Sequence, residues 1–70
     1  GEALMLTVED VEKRVAKIAS KAGDDETAHG LEDDLWEEVL HHIAKGSVFS
    51  RELATAALKT KEIYFARWCA

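Results

Sequence analysis

Between Ala28 and Ile43 the apolar residues Ala28, Leu31, Leu35, Trp36, Val39, Leu40 and Ile43 recur at helical spacing. Read at about 100° per residue they spread over roughly half the helix circumference, wider than the stripe an ordinary surface helix needs. A helix of this kind must be covered from two sides, by two neighbours of its own chain or by one neighbour and a partner. With 70 residues there is room for one domain, and a chain of this size buries only about 60% of its unfolded surface. The sequence has no proline, so nothing forces a break except glycine and local capping chemistry. Apolar residues at 47% against 33% charged are too many for a disordered chain. The economical fold is all-α, a small three-helix bundle with a short fourth C-terminal helical turn as an option. It spans residues 1–70 as a single helical domain, with 1–6 expected to be a flexible or non-native N-terminus and Gly1 to Leu4 read as preceding a native start at Met5.

The helices are read from their ends. Thr7 can cap a first helix whose first turn carries Glu9 and Asp10, and Val8, Val11, Val15, Ile18 and Ala22 then form its apolar stripe. Gly23 is expected to close it as a left-handed cap. Asp24 and Asp25 open the second helix. Gly30 falls inside it, which suggests either a later true start or close approach of another backbone. Gly46 is the stop signal, and Ser50 reads as the cap of a third helix carrying Leu53, Ala54, Ala56, Ala57 and Leu58. Ile63, Tyr64, Phe65 and Trp68 form an aromatic tail, and Phe49, Phe65 and Trp68 are expected to plug the open end of the bundle.

The net charge of −5 hides an asymmetry. From Asp24 to Glu38 there are eight acids (Asp24, Asp25, Glu26, Glu32, Asp33, Asp34, Glu37 and Glu38) and no Lys or Arg. From Lys45 onward the balance reverses, with Lys45, Arg51, Lys59, Lys61 and Arg67 against Glu52 and Glu62. The two regions can attract each other, or one can attract a partner. The expected function is therefore contact with a protein partner bearing a basic surface. Asp33, Asp34, Glu37 and Glu38 would present the charge, Trp36 or Leu40 would serve as an apolar anchor, and His41 lies beside them. A homodimer through the broad apolar arc is a variant of the same idea.

Enzymatic chemistry is not expected. The chain has no Gly-rich phosphate loop and no Cys-x-x-Cys, and its single cysteine, Cys69, has no orienting partner at a recognisable spacing. That lone cysteine also excludes an internal disulfide. With no leader and no membrane span in the sequence, it points to a cytoplasmic protein.

Two alternatives have a residue basis. Glu38-Val39-Leu40-His41 has the Glu-x-x-His spacing of carboxylate-bridged metal bundles, which would need further carboxylates such as Glu12 or those of a second subunit. Phe49 to Ala54, followed by Lys59, Thr60 and Lys61 at the head of a would-be recognition helix, is loosely similar to a helix-turn-helix. Against it, the acidic stretch would repel phosphate. His42 falls within the apolar arc, where a partly buried packing role is expected.

The string from His29 through the C-terminus, especially Gly30-Leu31-Glu32-Asp33-Asp34-Leu35 and Ile63-Tyr64-Phe65-Ala66-Arg67-Trp68-Cys69-Ala70, resembles short, functionally unassigned helical proteins of actinobacteria and their phages. The resemblance covers a little over half the chain. It implies an accessory or host-interacting role and assigns none to individual residues.

Overall fold

The computed structural model describes residues 6–67 and is all-α, with three helices and no strand among those residues. Helix α1 runs Val8–Ser20, α2 Asp25–Ala44 and α3 Ser50–Leu58, and a single 3-10 turn, Lys59–Glu62, continues directly from α3. The fourth helical turn expected at the C-terminal end is this 3-10 piece. The 20 residues of α2 rise about 30 Å and account for the long axis of a body measuring 33 × 20 × 19 Å.

The ends of α1 and α2 follow from local chemistry. The Thr7 hydroxyl accepts the Asp10 N–H at 3.0 Å while the Asp10 carboxylate accepts the Thr7 N–H at 3.2 Å, a reciprocal capping box. At the head of α2 the Asp24 carboxylate accepts from the N–H of Thr27 at 3.3 Å and from its hydroxyl at 2.8 Å. Gly46 closes α2 at φ +88°. Its N–H donates to the Ile43 carbonyl and that of Ser47 to the His42 carbonyl, which together make a Schellman cap.

Several local expectations are corrected. Helix α1 ends at Ser20, and Gly23 sits in the following turn without a left-handed φ, because Lys21 and Ala22 close the end with i−3 bonds to Ile18 and Ala19. Gly30 marks neither a start nor a close approach: α2 is continuous through it and open space surrounds it. Ser50 is the first residue of α3 rather than its cap. Its hydroxyl donates to the Ser47 carbonyl at 2.6 Å, while the Ser47 hydroxyl accepts the Phe49 N–H at 3.1 Å. Residue 6 belongs to the fold, since Leu6 is buried in the core.

The core consists of Leu6, Val11, Ile18, Ala28, Leu35, Val39, Leu53, Ala56, Ala57 and Phe65, with Val8, Val15, Leu31, Trp36, Ile43 and Ile63 packed against it. Of the three aromatics expected to plug the bundle, Phe65 does so at 6% exposure. Phe49 stays in the α2–α3 connection at 51%, and Trp68 lies outside the described residues, as does Cys69. The described part of the aromatic tail is not helical. From Ile63 to Arg67 the chain is irregular, with an extended Ile63, and it lies back against α2.

Candidate interaction face

The eight acids of the central stretch divide into groups that the sequence presents as one. Glu32 is buried at 4% exposure and is held by Arg67, which donates Nε–H to Oε1 at 2.7 Å and Nη2–H to Oε2 at 3.0 Å. The same guanidinium donates to the carbonyls of Thr60, Ile63 and Phe65 and stacks 3.9 Å from the centre of the Phe65 ring. Asp25 accepts the Ala66 N–H at 3.1 Å, so the C-terminal segment is tied to one face of α2 at two points about two turns apart. Burial alone would push the Glu32 carboxyl up. The hydrogen bonds from Arg67 and Thr60, with the charges of Arg67 and Lys61, outweigh it and hold the group below its ordinary value. Glu38 faces α1, where its carboxylate pairs with Arg14. Asp24 serves as a helix cap, and the hydrogen bonds it accepts from the side chain and backbone of Thr27 lower its carboxyl.

What is left is Glu26 in the first turn of α2 and, farther along its outward edge, Asp33, Asp34 and Glu37, all exposed and none within ion-pair distance of a Lys or Arg among the described residues. Their partners on the helix are histidines: His29 Nδ1 lies 3.3 Å from Asp33, and His41 Nε2 lies 3.7 Å from Glu37, each at i,i+4 spacing. His41 is exposed, as its place on the polar face requires, and His42 is half-buried.

Trp36 and Leu40, paired in the sequence as candidate anchors, have different surroundings. The Trp36 indole is half-buried and donates its N–H to the Ala57 carbonyl at 3.2 Å and to Thr60 Oγ1 at 3.1 Å, which fixes it against α3. Leu40 is 63% exposed. Between them opens an apolar hollow of about 160 Å³ lined by Trp36, Val39, Leu40 and Ile43 of α2 and Ala54, Ala57 and Leu58 of α3. Leu58 forms its outer lip at 57% exposure. Sequence reasoning missed this α3 wall. The available signal was that Leu58 falls off the stripe of Leu53, Ala56 and Ala57 and still carries a large apolar side chain.

Of the predicted site residues, the structure therefore brings Asp33, Asp34, Glu37, Leu40 and His41 to the outward side of α2. Glu38 turns toward α1, and Trp36 becomes a wall against α3. Among the described residues no three His, Cys, Asp or Glu side chains come together as a metal site. Glu38 and His41 engage different partners, and Glu12 lines a hollow between α1 and α3 with Arg51, Glu52 and Lys59. The segment expected to open a recognition helix is the 3-10 turn, and no helix follows it among the described residues. No helix there is long and apolar enough to cross a membrane. Comparison of the chain with protein-family models, with curated proteins and with solved structures finds no match in any of the three.

Proposed function

We propose that this chain is a non-enzymatic protein-interaction module that binds a basic partner surface through the outward edge of α2. The observation that supports the reading is the asymmetry within the acidic stretch. Glu32 and Glu38 are matched by Arg67 and Arg14, whereas Asp33, Asp34 and Glu37 are left facing water beside an exposed leucine. Unmatched charge at a rim accelerates encounter with an oppositely charged surface, and an adjacent apolar side chain slows dissociation. The role is accessory or host-interacting, as the sequence resemblance implies.

The test compares proteins captured from the native host by the wild-type chain and by the triple variant Asp33→Lys, Asp34→Lys, Glu37→Lys. All three sites are exposed, and circular dichroism should show unchanged helicity. A partner retained by the wild type and released by moderate salt should be lost from the variant. Equal retention of the same partners by both would sink the reading.

A further inference from the structure

We propose that the hollow between α2 and α3 is the seat of a cationic amphipathic helix that inserts one apolar side chain between Leu40 and Leu58. The inference rests on the acidic-edge reading above and names the kind of partner that edge serves. Two features of the wall carry it. The Trp36 N–H, the one polar group its side chain could offer, is already satisfied by Ala57 and Thr60, so the wall asks an occupant for apolar contact only. The volume, about 160 Å³, matches a single ring or branched side chain, since a cavity of roughly 150 Å³ lined by aliphatic and aromatic groups takes up benzene.

The occupant's form follows from the architecture. The described residues contain no strand and hence no sheet edge to extend, whereas two helices with an apolar furrow between them accept a third by ridge-into-groove packing. Its charge follows from the rim. Glu37 lies one turn and Asp33 two turns before Leu40, on the edge of α2 that borders the hollow, and Asp34 stands farther round the helix. Lys61 stands at the Trp36 end, its ammonium 6.0 Å from the ring centroid, and offsets only part of this. A Lys or Arg one turn on either side of the inserted residue would meet these carboxylates. A second copy of the chain fits less well, because each copy carries a net charge of −5 and brings the same acids to the contact.

The test uses synthetic helix-forming peptides with a single Leu, Phe or Trp anchor flanked at i−4 and i+4 by Lys or Arg, followed by fluorescence anisotropy. One control replaces the anchor with Ala, and another replaces the basic residues with Glu. At least one anchored cationic peptide should bind, and both controls should bind at least about tenfold more weakly. The variant Leu40→Gln, Leu58→Gln keeps the net charge and alters only exposed side chains. It too should weaken binding at least about tenfold, while Asp33→Asn, Asp34→Asn, Glu37→Gln should weaken it and flatten its salt dependence.

If the neutral triple variant weakens binding but the double glutamine variant does not, the hollow is not the seat and the acidic-edge reading alone survives. If no anchored peptide binds, the inference is overturned, and the acidic-edge reading is then judged by the host-capture experiment. A concentration-dependent dimer abolished by Leu40→Gln would assign the hollow to a second copy and overturn it as well. So would a Trp68→Ala variant that binds peptide more than about tenfold tighter than wild type, which would assign the hollow to the chain's own C-terminal residues.

Discussion

Glu32 and Arg67 show how far a single residue's surroundings can depart from its place in the sequence. Glu32 sits among surface acids in the chain, yet it is the one carboxylate of that stretch taken into the interior, and its partner is 35 positions away. No local pattern announces such a pair. Replacing Arg67 with Met would leave Glu32 buried and uncompensated, at a cost of about 3 kcal/mol, the low end of the range because the guanidinium keeps a quarter of its exposure. Glu32→Gln keeps the shape and part of the hydrogen bonding and should cost about 1.5 kcal/mol; urea denaturation at neutral pH should rank the two in that order. The pH dependence has a definite sign. The folded-state carboxyl of Glu32 is depressed, so on acidification the unfolded chain takes up the proton first. The contribution is present above the ordinary glutamate value and is lost as pH falls through the folded one. Wild-type stability should therefore drop more steeply below about pH 4 than that of Glu32→Gln. Parallel acid profiles would show that the pair contributes nothing specific.

The helices were legible to different degrees, and the differences trace to how local their signals are. Thr7 with Asp10, and Asp24 with Thr27, sit three residues apart, so the starts of α1 and α2 could be read from the chain directly. The start of α3 could not, because Ser47 and Ser50 share the turn and the more distant one holds the Phe49 N–H. Glycine was the least legible residue, since its meaning depends on a φ angle that sequence does not reveal. Gly46 adopts the left-handed region at φ +88°, so Gly46→Ala should destabilise by about 1 kcal/mol. Gly30 lies in the middle of α2 with no left-handed φ and nothing within 4 Å of where a Cβ would stand. Gly30→Ala should stabilise by up to about 1 kcal/mol through helix propensity and reduced freedom of the unfolded chain. Thermal melts of the two variants should shift in opposite directions. A loss at Gly30 would mean that its open face is in use.

Across the three packed helices, the residues that stabilise the fold are separate from those left available for contact. The all-α class and the place of Leu35 and Val39 on the apolar stripe of α2 followed from periodicity. Which acids are internally matched did not, because Arg14 and Arg67 reach them only through tertiary packing. A domain of 70 residues has about 4–10 kcal/mol of stability in total, so Leu35→Ala, at a fully buried position and costing about 3 kcal/mol, should remove a large share of it. Removing charge from Asp33, Asp34 and Glu37 should do the opposite. These carboxylates repel one another and add to a net charge of −5 without a Lys or Arg partner among the described residues. If the fold does not need them, Asp33→Asn, Asp34→Asn, Glu37→Gln should be at least as stable as wild type at low salt. Raising the ionic strength screens repulsion between exposed charges but reaches the buried Glu32–Arg67 pair much less. The wild-type melting temperature should accordingly rise with salt, and that of the triple variant should rise less. A triple variant that is less stable than wild type at low salt, or one with an identical salt response, would mean that these carboxylates hold the fold. Their retention for a partner would then be ruled out.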